Sequence, residues 1–478
     1  MSLMRSFFAL LFILVFAALS AAQSGRVTSS GKTVLDSIPE PKIEKTSKDL
    51  YDEANNYAKQ KFDEFKKKNL PYDDQLYQQT LREQRQLAAR YAAQIAEKQT
   101  VSSEDFYYVG MLHWLASNTD GANEYLRKFF EATELNPEMA QTARSVLTVL
   151  AARQKNFDEA ERLLADYLKF GPVRPREQAK MYAELAENYR QEKNYAKAAT
   201  HAEESYRLTK GLFRSASSRT VGLTEILDAA IMVFTIYKES GDRARAEAVL
   251  DNLRRTAASV ESTTVYYYAV DQNIKYLIET GRKADALAFY KNSIEQTSKD
   301  FTFKGLRDDI VRRLKVRDKQ YQMLGEPAPE LEGIDQWIPG GAKTLAELRG
   351  KVVLLDFWAS WCGPCIAMFP TLSEWREMYE NDGFVIIGMT RYYNEAEGMR
   401  VDKTKEIEFL TRFKERHRLK YDFAVAKDSI NHHNYGANSI PTTVLIDRKG
   451  VIRYIESGSS ANKQEEIRRT IEKLLAEK

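Results

Sequence analysis

The two cysteines of the chain stand three positions apart, in the motif Trp361-Cys362-Gly363-Pro364-Cys365. An apolar run at 352–358 predicts a buried strand just before the motif, and helix formers follow it. A CxxC pair at such a junction is typical of a redox dithiol. Because free amides at a helix N-terminus favour a thiolate, we predict that Cys362 is the nucleophile and that Cys365, one turn along, resolves the mixed disulfide.

Metal binding is the alternative chemistry for a cysteine pair. A zinc site usually needs four ligands, and a second CxxC or a suitably spaced histidine pair would have to supply the rest. Of the five histidines, His432 and His433 are adjacent and project in different directions, so we expect them on the surface or in a loop. The sequence also has no nicotinamide or flavin fingerprint. We therefore predict a site with no metal and no cofactor.

Asp356 interrupts the predicted strand, six residues before Cys362. A carboxylate inside a buried strand is costly unless it is hydrogen-bonded or protonated, so we expect burial to raise its pKa. A raised pKa would suit a proton acceptor for Cys365. The alternative is an acid that points towards a loop or a water pocket.

Pro441 stands just before another predicted strand, in Ile440-Pro441-Thr442. A proline at such a position is either an ordinary trans residue at the edge of a sheet or a cis-proline that bends the chain against the active site. Local sequence alone favours the trans form.

These motifs together resemble a known family. The stretch 355–365, with Ile440-Pro441-Thr442, is similar to thioredoxin-like proteins. The opening Gly325-Glu326-Pro327-Ala328-Pro329, the lead-in Leu348-Arg349-Gly350-Lys351 and the closing Ile446-Asp447-Arg448-Lys449-Gly450 resemble their exported TlpA/ResA-type branch, which is related to the AhpC/TSA peroxiredoxins. The resemblance covers nearly all of residues 325–478.

The resemblance implies that Cys362 and Cys365 cycle between dithiol and disulfide and that Asp356 assists proton transfer. It also implies that Pro441 is cis and packs against the dithiol. The residues that it implies for substrate binding are Trp361, Gly363, Pro364 and the backbone of Ile440. The charged, tyrosine-bearing stretch 391–400 departs from the family pattern, and we expect it to form a longer loop near the site.

Strand-like and helix-like patterns alternate after a Pro/Gly break at 325–329. The predicted strands are 352–358, 384–389, 443–446 and 451–455, and the predicted helices are 366–379, 403–419 and 464–476. The alternation predicts an α/β domain with a central sheet flanked by helices.

The region 48–320 has little Pro or Gly and shows apolar spacings of three and four, which predict helices throughout. A turn followed by an alanine recurs, with the alanines at 122, 160, 198, 246 and 286. We expect a Gly or Asn in the left-handed conformation at each turn and a small residue where paired helices approach closely. Over 103–300 this pattern resembles tetratricopeptide repeats, with a generic helical bundle as the alternative. Such arrays present a groove for a protein or peptide, and the tyrosines 266–268 either line it or fill the seams between repeats.

At 478 residues the chain is long enough for two to four domains, and its net charge of +3 indicates neither nucleic acid nor an anionic membrane as a partner. One positive charge, an apolar run at 7–19 and Ser20-Ala21-Ala22 predict a signal peptide. The alternative, an uncleaved anchor, is disfavoured because the run is shorter than the ~20 residues that span a bilayer. We predict a signal peptide at 1–22, a flexible leader at 23–47, a repeat domain at 48–320 and a thioredoxin-like domain at 325–478, with no stable membrane span after cleavage.

The predicted protein is an exported, periplasmic thiol-disulfide oxidoreductase whose repeats hold a partner. Gly-Pro between the cysteines resembles reducing members of the family, which act in cytochrome c maturation or disulfide repair. Its partners would be a protein with a disulfide or dithiol and a membrane protein that donates electrons. The alternatives are a thiol peroxidase and a repeat-based adaptor in which the thioredoxin fold is only structural.

Overall fold

The computed structural model describes residues 45–71, 73–97, 102–341 and 343–477. The predicted signal peptide and most of the predicted leader lie outside these residues. The described chain is helical up to Met323 and continues into a domain built on a sheet. The predicted fold class, a helical array followed by a thioredoxin-like α/β domain, is therefore confirmed.

The array consists of helices that follow one another with short connections. Its helices are α1 (Ser47–Lys67), α2 (Asp74–Ala96), α3 (Ser103–Leu115), α4 (Thr119–Phe129), α5 (Pro137–Arg153), α6 (Phe157–Phe170), α7 (Pro175–Gln191), α8 (Tyr195–Leu212), α9 (Arg219–Ser240), α10 (Arg243–Ser259), α11 (Thr263–Glu279), α12 (Lys283–Asp300), α13 (Lys304–Val316) and α14 (Asp318–Met323). Buried apolar side chains form a continuous core from Tyr107 to Tyr321.

The recurring alanines lie where paired helices touch. Those at 122, 160, 198, 246 and 286 are all fully excluded from solvent, which is consistent with a helical repeat array. Tyr266 is also fully buried and packs edge-on against Phe301, so it fills a seam, whereas Tyr267 and Tyr268 are half-buried.

The prediction of Gly or Asn in the left-handed conformation at each turn is right in only two of five cases. The left-handed residues, with φ from 60° to 80°, are Ser117, Lys155, Lys193, Gly241 and Gly281. Each directly precedes the N-cap residue of the next helix. The asparagines at 118, 156 and 194 are N-caps, a position that asparagine also favours. In these three turns the left-handed residue is therefore the one before the asparagine.

Helix α9 is the one described helix that is long and apolar enough to cross a membrane by composition. Buried core helices of soluble proteins pass the same test, and Ile226, Ala230 and Phe234 of this helix belong to the core of the array.

The second domain has a six-stranded sheet in the order β1-β6-β3-β2-β7-β8, with helices packed against it. Its strands are β1 (Ile334–Ile338), β2 (Val352–Phe357), β3 (Phe384–Arg391), β6 (Asp422–Ala426), β7 (Thr442–Ile446) and β8 (Ile452–Ser457), and a separate hairpin is formed by β4 (Glu395–Ala396) and β5 (Met399–Arg400). Its helices are α15 (Gly363–Tyr379), α16 (Lys403–Arg416), α17 (Ile430–Asn434) and α18 (Ala461–Ala476). The sequence patterns did not predict β1 and β6.

Strands β2, β3 and β6 run parallel, while β1, β7 and β8 are antiparallel to their neighbours. All six residues of β2 are buried, since helices and loops cover both faces of the sheet. One core contains both cysteines, Leu354 and Trp358, and the other contains Leu355 and Phe357.

The two parts of the chain touch through polar side chains. Lys473 of α18 donates to Glu279 of α11 at 2.7 Å, and Arg317, between α13 and α14, contacts Glu456 of β8 at 3.1 Å. The end of the array therefore lies against the edge of the sheet formed by β7 and β8.

Candidate active site

Cys362 and Cys365 are joined by a disulfide at the start of α15, with their Cα atoms 5.2 Å apart. Cys362 is the N-cap of this helix, and its Sγ accepts a hydrogen bond from the Cys365 amide at 3.2 Å. Pro364 occupies the first turn, where its missing N–H costs no intrahelical bond. Cys362 is 4% exposed and Cys365 is fully buried, so Cys362 is the sulfur nearer to solvent.

Asp356 lies near the end of β2, paired with Gly388 of β3 on one side and Thr443 of β7 on the other. Because side chains alternate along a strand, its carboxylate shares a face with Leu354 and Trp358, whose core includes both cysteines. The carboxylate is fully buried, and neither oxygen has a hydrogen-bond partner among the described residues. Burial raises the pKa of Asp356 to about 7. An acid with this pKa changes charge near neutral pH.

Gly388 is a requirement of this core that the sequence analysis missed. A Cβ at this position would lie 2.8 Å from the ring of Phe423 and 3.0 Å from Nε1 of Trp358, so no larger residue fits without displacing them. The only local signal was a glycine inside an apolar strand, which marks a close approach.

The Ile440–Pro441 peptide bond is cis, as the resemblance implies. Thr442 pairs with Phe357, the last residue of β2, so Pro441 lies at the end of the sheet from which the chain continues to the disulfide. The half-buried Ile440 packs against the core that contains both cysteines. The carbonyl of Pro441 accepts a hydrogen bond from the Gly458 amide at 2.8 Å.

Trp361 is the exposed aromatic residue of the site, with 53% of its surface accessible. Its ring meets the edge of Tyr393 at a centroid distance of 5.4 Å, and the Arg391 guanidinium lies 4.4 Å from the Tyr393 centroid. Tyr393 therefore contacts both Arg391 and Trp361, the residue that precedes Cys362 in the chain. The remaining substrate residue implied by the resemblance, Gly363, is the first residue of α15, where an added Cβ would meet nothing within 4 Å.

The stretch 391–400 begins with the last residue of β3 and contains the β4–β5 hairpin. Its base is fixed by the buried Glu406 of α16, whose carboxylate accepts hydrogen bonds from the amides of Tyr393 at 2.8 Å and Asn394 at 2.9 Å. The Tyr392 hydroxyl donates to Asp335 at 2.7 Å. Sequence reasoning missed Glu406, because nothing in its helical context marks it as an anchor.

His432 corrects the expectation of a surface or loop histidine, since it lies in the short helix α17 and both of its ring nitrogens are buried, with no hydrogen-bond partner in the part of the chain that the structure describes. Its ring packs edge-on against Phe357 at 5.1 Å. Burial, with a smaller contribution from Arg391, lowers the pKa of His432 to about 4, so the ring is neutral at physiological pH. Among the described residues, no group of three or more His, Cys, Asp or Glu side chains is arranged to hold a metal ion.

The sheet order, a disulfide at the start of a helix and a cis-proline at the same end of the sheet define a thiol-disulfide exchange domain of thioredoxin type. Comparisons with known proteins agree. A family model described as Redoxin matches residues 323–472. The thioredoxin-like protein YneN of Bacillus subtilis (strain 168) is 30% identical over 142 residues, which cover 30% of this chain and 76% of that protein.

Two further similarities concern named redox proteins. The thiol-disulfide oxidoreductase ResA of Geobacillus thermodenitrificans (strain NG80-2) is 28% identical over 158 residues, 33% of this chain and 81% of ResA. A solved thiol-disulfide isomerase from Corynebacterium glutamicum is 22% identical, with a TM-score of 0.27, covering 32% of this chain and 98% of that chain. This chain belongs to the thioredoxin-like thiol-disulfide oxidoreductases.

Proposed function

We propose that the chain is an exported, periplasmic enzyme that reduces disulfides in other proteins with the Cys362–Cys365 couple. The observation that carries this proposal is the bonded pair at the N-terminus of α15, whose core lies on the same face of β2 as the buried Asp356, a carboxylate with no hydrogen-bond partner among the described residues. Its domains would be those expected from the sequence: a signal peptide at 1–22, a leader at 23–47, the repeats at 48–320 and the redox domain at 325–478.

In the reduced enzyme, the Cys362 thiolate attacks one sulfur of a substrate disulfide. A bond forms between Cys362 and that sulfur, and the other substrate sulfur leaves as a thiolate that takes up a proton. The amides at the start of α15 stabilise the attacking thiolate, because its sulfur sits at the N-cap.

The second half-reaction releases the substrate. Cys365 loses its proton and attacks the Cys362 sulfur, which restores the Cys362–Cys365 disulfide and expels the second substrate thiol. We assign the proton acceptance to Asp356, whose pKa of about 7 matches a group that exchanges protons at neutral pH. Overall, two electrons and two protons pass to the substrate.

Substrate binding is assigned to the surface around Cys362. Trp361, Gly363, Pro364 and the backbone of Ile440 would contact the substrate chain, with cis-Pro441 shaping the surface. The exposed ring of Trp361 supports this assignment. The helical array would bind the substrate or a partner protein. Because each turnover oxidises the couple, a dithiol donor, which we place in the membrane, must reduce it again.

The reduction potential of the couple tests the direction. The mature protein is equilibrated in dithiothreitol or glutathione buffers, and the fraction of free Cys362 and Cys365 is measured by alkylation and mass spectrometry. A value near the roughly −270 mV of thioredoxin supports a reductant, whereas a value near roughly −120 mV would make the protein an oxidant that introduces disulfides.

A further inference from the structure

The loop at residues 436–441, here called the proline loop, connects α17 to β7 and ends at cis-Pro441. Two hydrogen bonds tie it to the end of the helical array. Gln320 of α14 donates from Nε2 to the Gly436 carbonyl at 2.7 Å, and Asn438 donates from Nδ2 to the carbonyl of Val316, the last residue of α13, at 3.1 Å.

The first of these contacts is enclosed and tightly packed. Gln320 is 2% exposed. Gly436 has a φ of +60°, and a Cβ added there would lie 3.1 Å from Cγ of Gln320 and 3.3 Å from Cβ of Lys319. Helix α14 therefore packs directly on the backbone of the proline loop, with no side chain between them.

Arg317 holds the strand on the other side of the proline loop. Its guanidinium lies 3.1 Å from the Glu456 carboxylate and 3.3 Å from the Ile455 carbonyl, both in β8. Its Nε faces Asp271 of α11 at 3.4 Å, and Lys275 bridges Asp271 and Glu456. These two acids and two bases are nearly excluded from solvent and balance one another in charge.

Strand β8, which Arg317 contacts, and the residue that follows it are hydrogen-bonded to Pro441 and Thr442. Glu456 pairs with Thr443 in the β7–β8 ladder. The Thr442 and Ser457 hydroxyls are 2.7 Å apart, and the Gly458 amide donates to the Pro441 carbonyl at 2.8 Å. The end of the array therefore contacts both the chain that enters cis-Pro441 and the strand beside the chain that leaves it.

We propose that the end of the array positions the proline loop for protein substrates, with Gln320 and Asn438 as the positioning residues. The inference rests on the proposed function, because it concerns how Ile440 and Pro441 receive a substrate backbone. A protein disulfide must lay its chain along the loop, so its binding depends on where the array holds that loop. A small disulfide can reach Cys362 without the loop and does not depend on it.

The test uses the full mature chain and three single variants. Gln320→Met keeps the length of the side chain and removes the donor to Gly436. Asn438→Ala removes the hydrogen bond to the Val316 carbonyl. Because Asn438 is exposed, we expect this variant to fold. Gln322→Met is the matched control, because Gln322 is an exposed residue of the same helix. Its side-chain amide donates a hydrogen bond to Asp318 of α14 at 2.8 Å.

Each protein is reduced, freed of reductant and mixed with increasing insulin or glutathione disulfide, and formation of the Cys362–Cys365 disulfide is followed. We expect the insulin concentration for half-maximal rate to rise about 5- to 10-fold in Gln320→Met and Asn438→Ala, the size expected for one lost hydrogen bond. The limiting rate, the glutathione disulfide kinetics and the Gln322→Met control should stay within about twofold of wild type.

Hydrogen exchange of the amides at 436–440 provides a second readout, and it should accelerate in the two variants while the strand amides of β2 stay protected. Unchanged insulin kinetics, or an equal loss with both substrates, would overturn the positioning role. A wild-type protein inert towards both disulfides would instead reject the proposed function itself.

Discussion

The Arg317 guanidinium and the Glu456 carboxylate meet at 3.1 Å although 139 residues separate them in the chain. Their side chains are only 6% and 12% exposed. Burial alone would raise the pKa of Glu456, but Lys275 and Arg317 outweigh it and hold that pKa well below its usual range. The contact between the array and the redox domain is therefore built on a carboxylate that must stay charged.

Replacement of this carboxylate should be costly. We expect Glu456→Gln to lower the free energy of unfolding by about 3–5 kcal/mol, because it leaves Lys275 and Arg317 buried with one counter-charge fewer. Urea unfolding at pH 7 measures the loss. Glu472→Gln removes an acid whose own side chain is 44% exposed from its ion pair with Arg468, and it should cost less than about 1 kcal/mol. Equal losses in the two variants would contradict this account.

The same ion pair sets a dependence on pH. A depressed pKa stabilises the fold above the ordinary pKa of a glutamate, about 4.3, and this stability is lost as the pH falls towards the folded value. The difference in stability between wild type and Glu456→Gln should therefore be constant from pH 6 to 8, within about 0.5 kcal/mol, and shrink below about pH 4. A difference that grows in acid would be inconsistent with a depressed pKa.

The effect of pH on stability through Asp356 has the opposite sign to the effect through Glu456. Its pKa of about 7 lies above that of an unfolded aspartate, so the folded protein holds the proton more tightly and loses stability as the pH rises from about 4 to 7. We expect Asp356→Asn, unfolded by urea with the disulfide intact, to gain about 2–4 kcal/mol relative to wild type between pH 5 and pH 8. The exposed Asp382→Asn should show no such gain. A constant difference between pH 5 and 8 would rule out titration of Asp356.

The proposed division of labour between the cysteines predicts which intermediate is trapped. Cys365→Ser should accumulate a mixed disulfide between Cys362 and an insulin chain, while Cys362→Ser should form none, because only Cys362 has access to solvent. Mass spectrometry of the acid-quenched mixture identifies the adduct. An adduct on Cys365 in the Cys362→Ser protein would reverse the assignment.

The hairpin beside Trp361 depends on Glu406. We expect Glu406→Ala to leave the amides of Tyr393 and Asn394 without acceptors, at a cost of about 1–3 kcal/mol, and to make the stretch 391–400 sensitive to limited proteolysis. The control Glu408→Ala changes an exposed residue of the same helix and should be cut no faster than wild type. Resistance of the Glu406→Ala protein would show that the hairpin is held by other contacts.

The sequence predicted the parts of the fold that local patterns encode. Local signals mark three features: the apolar run of β2, the helix after the CxxC motif and the buried alanines of the array. Strands β1 and β6 have no such local signal. β1 is a short segment that mixes polar residues, Asp335 and Gln336, with apolar ones, and it forms a strand by pairing with β6. Their pairing joins positions about 90 residues apart, so no window along the chain contains the signal.

Contacts around the site were unpredictable for a related reason. Glu406 and Gln320 lie at ordinary helical positions and Arg317 joins two helices, and the roles of all three depend on which backbone groups the tertiary structure brings near them. The cis-proline was expected only from a resemblance, since local sequence favours the trans form. The raised pKa of Asp356 could be predicted because the residue lies within an apolar run of the sequence, which indicates burial.

The connection between Lys275 and Glu456, 181 residues apart, also constrains the order of assembly. Chains emerge from synthesis N-terminus first, and domains generally fold as they appear. The array can form before β8 is synthesised. Until then Lys275 and Arg317 have Asp271 as an acidic partner but lack Glu456. The last strand of the sheet therefore completes the ion pairs of the array as well as the sheet, and a chain that ends before β8 lacks both.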